Sequence, residues 1–195
     1  MHDEHNETAL IARAQQDASA FHQLYAVYFK RVYGYVAARI PQPQDAEDVV
    51  ANVFLRALKN LPQFRNQHQP SFAAWLFTIA RNVTNDHYRG QPHLAIIPFE
   101  QATHALSEVP EPDHHLIKQE ESALLRELIT RLPERKRELV YLRYYAGLRN
   151  QEIATVLDIA ETTVSSTLSR ALDDLQKSYA QTKQDDEQKV VGHDT

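Results

Sequence analysis

The sequence predicts an all-helical protein of two small domains joined by a proline-containing linker. Three observations carry this. The 195 residues include only 4 glycines and no long alternating β-branched run, which disfavours strands. Apolar residues recur at helical spacing in three long segments, 45–61, 72–89 and 161–175. Between the second and third lies a stretch, 90–115, that contains Gly90, Pro92, Pro98, Pro110 and Pro112 and no Lys or Arg, leaving no room for a long helix. The expected division is therefore a helical domain over 7–89, a linker over 90–115, a second helical domain over 116–179 and a polar, disordered tail over 180–195. Fully extended, a linker of ~26 residues reaches roughly 85–95 Å.

Composition excludes several classes. Cysteine is absent and apolar residues make up 43%, so cores can form while thiol chemistry, disulfides and zinc-cysteine sites cannot. No apolar run reaches the ~18 residues of a membrane span and no signal peptide opens the chain; a cytoplasmic protein is expected. The ten histidines are scattered without metal-ligand spacing, and neither a Gly-rich phosphate loop nor a nucleophile motif is present. No metal, cofactor or enzymatic activity is expected. Net charge is −5, unlike a free-standing nucleic-acid binder. Its distribution is uneven: within 56–89, Arg56, Lys59, Arg65, Arg81 and Arg89 face Asp86 alone, making this the best stretch for phosphates.

The 45–61 helix follows Pro43, with Asp45 as its expected N-cap and Glu47 and Asp48 in the first turns. Ala46, Val49, Val50, Val53, Phe54, Ala57, Leu58 and Leu61 form its apolar stripe. A capped core helix explains that stripe. It explains less well Leu55, which shares the outward face with Asp48, Ala51 and Asn52 and suits docking onto a protein.

The 72–89 helix has two stripes. Phe72, Trp75, Leu76, Ile79, Ala80 and Val83 face inward; Thr78, Arg81, Asn82, Asn85, Asp86 and Arg89 face outward. Arginines and short amides suit phosphates and base edges. The preceding loop, Phe64-Arg65-Asn66-Gln67-His68-Gln69, supplies further amides and an aromatic of the kind that hold unstacked bases. Core packing is the expected role of Trp75.

The third segment reads as a helix-turn-helix. Ile153, Leu157 and Ile159, with the small Ala154, fit a first helix and tight turn, and Val164, Leu168, Ala171 and Leu175 form the buried stripe of a second. Such a second helix commonly lies in a DNA major groove. Here its outward residues, Thr162, Thr163, Ser165, Ser166, Thr167, Ser169 and Arg170, bring hydroxyls but a single charge.

Taken together, these segments resemble the extracytoplasmic-function sigma factors of bacterial RNA polymerase. The resemblance covers about 9–89 and 116–177. It is carried by Ala20, Phe21, Leu24, Tyr25 and Tyr28, by DAEDVV with Phe54-Leu55, and by Trp75-Leu76, Ile79-Ala80-Arg81-Asn82, Asp86 and Arg89. In the second domain the matching residues are Leu132-Pro133, Leu142-Arg143-Tyr144, Glu152-Ile153-Ala154, Thr163-Val164, Ser166, Leu168-Ser169-Arg170-Ala171 and Leu175.

The resemblance implies a promoter-specificity subunit. Asp45, Glu47, Asp48, Asn52, Phe54 and Leu55 would bind the polymerase clamp helices. Arg65, Asn66, Gln67, His68, Thr78, Arg81, Asn82, Asn85, Asp86 and Arg89 would read and hold the −10 element as the duplex opens. Arg149, Gln151, Thr162, Thr163, Ser165, Ser166, Thr167 and Arg170 would read the −35 element while the second domain rests on the polymerase flap. Partners implied are core polymerase, promoter DNA and, in some members, an anti-sigma factor; no membrane is implied. The chain departs from the family at Ala51-Asn52, often Gln-Glu, and at Ala160, Thr162, Ser165, Thr167 and Leu172, usually Ser, Gly, Lys, Arg and Arg. Asp158 takes a turn position usually held by glycine. The other reading is a helix-turn-helix regulator or adaptor that does not itself initiate transcription.

Overall fold

The computed structural model describes residues 2–65, 71–90 and 115–191. Among them are eight α-helices and no strand: α1 (His2–Gln16), α2 (Phe21–Ala37), α3 (Pro43–Asn60), α4 (Phe72–Gly90), α5 (His115–Arg131), α6 (Glu134–Val140), α7 (Asn150–Leu157) and α8 (Glu161–Val191). The linker segment 91–114 lies outside the described residues. Two compact units form. One holds α1 to α4 with Tyr141–Ile159; the other holds α5, α6 and α8.

In the first unit, α2 is preceded by a short 3₁₀ turn, Ala18–Ala20, capped by Asp17. One Asp17 carboxylate oxygen accepts the Ser19 backbone N–H at 2.8 Å and the other accepts the Ser19 hydroxyl at 2.5 Å. These bonds, the hydroxyl first, hold the carboxyl below its ordinary range. Helix α3 begins earlier than its sequence suggests. Pro43 takes the first helical position, where its missing N–H costs nothing and its φ is already helical. Gln42, not Asp45, therefore stands at the cap, and it makes no side-chain capping bond.

Helix α3 packs against both α2 and α4. Val32, Tyr35, Val36, Val53, Ala57, Leu61, Phe77 and Ala80 are fully buried, each large apolar side chain contributing roughly 1.5–3 kcal/mol by leaving water. Helix α4 buries more than the stripe its periodicity announces. Ala73, Ala74, Phe77 and Thr84 are buried too, while Trp75 and Ile79 are only half-buried. The reason is that α4 is covered by α2 and α3 and also by α7. The Thr84 hydroxyl satisfies itself by donating to the Ala80 carbonyl at 2.8 Å. Trp75 rests against Phe64 and Phe72, with ring centres 5.0 and 5.4 Å away.

Residues 141–159 group with α1 to α4, not with the helices that flank them in sequence. They comprise a π-helical turn, Tyr141–Tyr145, a left-handed Gly147 with φ 65°, and α7. The π turn packs on α2 and α7 packs on α4. Helix α7 ends at Asp158, which adopts φ 52° and ψ 53°. This is the left-handed region that glycine occupies at least cost and Asp tolerates.

The second unit is built on the stripe read from sequence. Val164, Leu168, Ala171 and Leu175 of α8 are all buried, with Leu128 and Ile129 of α5, Leu132 in the bend that follows it, and Leu139 and Val140 of α6 also buried. Arg137 donates to the Thr130 and Leu132 carbonyls at 2.7 and 3.4 Å, satisfying acceptors left open at the end of α5. Lys136 of α6 lies 2.5 Å from Asp174 of α8. The expectation of disorder from residue 180 is corrected over 180–191, where α8 continues as helix. That segment is polar but holds three Gln and two Lys, good helix formers, and meets no Gly or Pro before Gly192.

Candidate nucleic-acid interface and docking face

The outward face of α3 is formed by Glu47, Asp48, Ala51, Asn52 and Leu55, all exposed; Leu55 is 67% exposed. Asn52 accepts from Arg56 Nε at 3.1 Å. Two residues of the expected face lie elsewhere. Phe54 is buried at 6% exposure, with its ring centre 4.6 Å from Tyr25 and 6.4 Å from Phe21; it supports the face from beneath. Asp45 is half-buried and 3.8 Å from His87 of α4. Beside Phe54, Tyr25 and Phe29 of α2 are exposed by 40% and 37% and paired at one helical turn with ring centres 5.1 Å apart.

On α4, Asn82 and Arg89 are exposed and Arg81 is half-buried. Thr78 spends its hydroxyl hydrogen on the Ala74 carbonyl at 2.8 Å. Asp86 lies 3.3 Å from Arg56 and 4.0 Å from Arg89; these exposed pairs contribute little to stability but pre-align two arginines. Asn85 accepts from Arg39 at 2.7 Å. Arg39 itself stacks over the Tyr35 ring at 5.4 Å, and its carbonyl accepts the Tyr88 hydroxyl. Arg39 went unseen in the sequence because it belongs to the turn after α2 and no local pattern links it to α4.

Arg65 is exposed, whereas Asn66, Gln67 and His68 lie outside the described residues. Both ends of that loop are pinned. Phe64 is buried at 5% exposure, and Gln15 donates to the Leu61 and Phe64 carbonyls at 3.0 and 2.7 Å. Ser71 Oγ accepts the Ala74 N–H at 3.2 Å, capping α4.

At the start of α7, Glu152 accepts the Arg149 N–H at 2.8 Å. Arg149 extends outward with a 68% exposed side chain, and Gln151 is exposed. On α8, Thr162, Ser165, Ser166 and Arg170 are exposed while Thr163 and Thr167 are half-buried. The Ser166 hydroxyl donates to the Thr163 carbonyl at 3.2 Å. Leu172 is 42% exposed. No described helix is long and apolar enough to cross a membrane.

The fold and these surfaces define a class: an all-helical protein with an exposed leucine on the acidic face of α3, arginines and amides on the outward face of α4, and hydroxyls with a single arginine on the exposed face of α8. Comparison with known proteins makes the class specific. Sigma-70 region 2 matches residues 24–92 and Sigma-70 region 4 matches residues 122–175. The ECF RNA polymerase sigma factor BldN of Streptomyces coelicolor is 32% identical over 164 residues, covering 84% of this chain and 62% of that protein. The RNA polymerase sigma-H factor of Pseudomonas aeruginosa is 30% identical over 178 residues, covering 87% of this chain and 91% of that protein. A structure of CnrH in complex with the cytosolic domain of CnrY shares the fold with a TM-score of 0.66 at 23% identity, covering 88% of this chain and 96% of that one. The sigma factor RpoE of Bartonella quintana, in complex with the anti-sigma factor NepR, gives 0.59 at 21% identity, covering 80% and 94%. The chain belongs to the extracytoplasmic-function sigma factors, the transcription initiation factors that bind core RNA polymerase. A helix-turn-helix regulator that does not initiate transcription is not favoured.

Proposed function

We propose that this sigma factor works in the cytoplasm through three surfaces and catalyses no bond-making step itself. Glu47, Asp48, Asn52 and Leu55 dock on the clamp helices, with Phe54 and Asp45 shaping that face from within. Arg65, Asn66, Gln67, His68, Arg81, Asn82, Asn85, Asp86 and Arg89 engage the −10 element, the amides reading bases and the arginines holding phosphates. Thr78 lines this helix. Arg149, Gln151, Thr162, Thr163, Ser165, Ser166, Thr167 and Arg170 read the −35 element. The functional modules are those over 7–89 and 116–179, joined through 90–115. No cofactor takes part, and an anti-sigma factor is a further partner.

The observation that carries the reading is Leu55, 67% exposed on a face bearing Glu47 and Asp48. The net charge of −5 agrees, because core polymerase supplies most phosphate contacts and holds two weak reading modules at high effective concentration.

Run-off transcription with core polymerase on a genomic promoter library tests the assignment. Asn66→Ala with Gln67→Ala changes which promoters open, and Arg89→Ala weakens opening across promoters. If both variants open the same promoters as the parent and equally well, the −10 assignment is wrong.

A further inference from the structure

On the outward face of α4, Asn82 and Asn85 stand one helical turn apart and differ in freedom. Asn82 is exposed, and among the described residues its side chain makes no hydrogen bond. It can present either its carbonyl or its NH2 group. Asn85 is half-buried, and its Oδ1 accepts from Arg39 Nη2 at 2.7 Å. Arg39 belongs to the turn after α2, 46 residues away along the chain.

Arg39 is itself fixed. Its Nη1 donates to the Tyr35 hydroxyl. Tyr35 is fully buried, edge-on to Phe77 with ring centres 5.7 Å apart. The Arg39 backbone N–H donates to the Val36 carbonyl at 2.9 Å, and its carbonyl accepts the Tyr88 hydroxyl from α4. The guanidinium is thus anchored on the core at one edge and meets Asn85 at the other. Tyr88 follows Asn85 by one helical turn, so both contacts bind this turn to the same stretch of α4.

A guanidinium carries N–H donors and no acceptor. The Asn85 amide can therefore face it only with oxygen. Turned over, its NH2 would meet N–H groups and a charge-assisted bond would be lost. With the oxygen held at Arg39, the planar amide directs its own N–H donors away from the guanidinium. Among the described residues those donors meet no protein acceptor. Base edges differ in what they offer such a donor. Guanine O6 and thymine O4 accept, whereas adenine N6 and cytosine N4 donate. An unrestrained asparagine pairs with adenine through carbonyl and NH2 together; the Asn85 carbonyl is turned to Arg39.

We propose that Arg39 is a positioning residue for promoter reading: it fixes Asn85 as a hydrogen-bond donor, so that the base Asn85 meets is selected as guanine or thymine over adenine or cytosine. The inference rests on the assignment of the α4 face to the −10 element given above. Asn82, free to turn its amide, imposes no such choice. A donor bond made on a keto base and missing on an amino base is read as about tenfold in promoter opening, the factor that 1.4 kcal/mol represents.

The test is opening by the full chain with core polymerase, measured on promoters that carry each base in turn at every −10 position. The parent favours G or T over A or C by about tenfold at one position. Asn85→Asp replaces the NH2 by a second oxygen, keeps the contact with Arg39 and inverts the preference there to A or C. Arg39→Leu, its folding checked by thermal melting, lowers the preference at that position below about threefold and leaves the other positions as they were. Arg39→Lys, whose ammonium also only donates, retains it. The proposal is overturned if the parent shows no keto preference at any −10 position, or if Asn85→Asp lowers opening uniformly with base ratios unchanged. It is equally overturned if a folded Arg39→Leu chain keeps the full preference, or if Arg39→Lys loses as much as Arg39→Leu. Should Arg39→Leu not fold, Asn85→Asp and Arg39→Lys still decide. The −10 assignment is judged apart. If Asn66→Ala with Gln67→Ala, and Arg89→Ala, leave opening as in the parent, that assignment fails and this inference with it. If those variants alter opening while Asn85→Asp leaves base ratios unchanged, this inference alone fails.

Discussion

Placing positive charge on the exposed face of α8 converts a weak grip on the −35 element into a strong, salt-sensitive one. The double variant Ser165→Lys with Leu172→Arg is the informative perturbation. Both side chains are exposed, Leu172 by 42%, so each new cation can reach phosphate without entering the core. Thr167, a family position for arginine, is half-buried and is a poorer choice. In the parent, Arg170 is the one cation among the outward residues 162–170. Each added phosphate contact steepens the slope of log K against log salt by about 0.9, so two add about 1.8. Across a fourfold rise, from about 50 to 200 mM, the variant therefore loses roughly 12-fold more affinity than the parent. The assay is fluorescence anisotropy of a duplex carrying the −35 element, titrated with full-chain holoenzyme at four salt concentrations. Contacts made by core polymerase cancel in the difference between variant and parent. Parallel slopes, with no gain in affinity at low salt, would show that this face of α8 does not meet DNA.

Further outcomes follow from individual residues. Asp48→Arg puts positive charge on the docking face and prevents co-purification with core polymerase; as an exposed substitution it moves stability by no more than about 0.5 kcal/mol, checked by thermal melting. Asp158→Gly relieves a left-handed residue at φ 52° and raises stability by about 0.5 kcal/mol, the relief being partly offset by greater unfolded-chain freedom; its denaturant midpoint moves up. Phe77→Ala removes a fully buried ring stacked edge-on to Tyr35 at 5.7 Å and costs about 3–5 kcal/mol, read by urea unfolding. Asp17 has a depressed carboxyl pKa, so its contribution is present above the ordinary value of 3.8 and lost as pH falls through the folded value. The stability gap between the parent and Asp17→Asn therefore narrows in acid, measured by melting between pH 6 and about pH 3.

The sequence by itself determined the helices, the stripes and the family. Val164, Leu168, Ala171 and Leu175 are buried as their spacing requires, because side chains three and four residues apart share one face of any α-helix. Leu55 could be placed outward for the same reason, and Asp158 could be marked as an unusual turn residue. What the sequence could not decide are the contacts between segments distant along the chain. Phe54 belongs to the apolar stripe and to a family surface motif at once; only the packing of Phe21 and Tyr25 over it puts it inside. Phe77 and Thr84 look outward or ambiguous on a single helix and become core because α7 covers α4 from another side. The bonds from Arg39 to Asn85, from Arg31 to Ala146 and from Ser71 to Glu152 span 46, 115 and 81 residues. Local periodicity carries no record of such pairs. They form only when the assembled helices bring a donor within reach of an acceptor, so the attachment of residues 141–159 to the first unit was decided by tertiary structure alone.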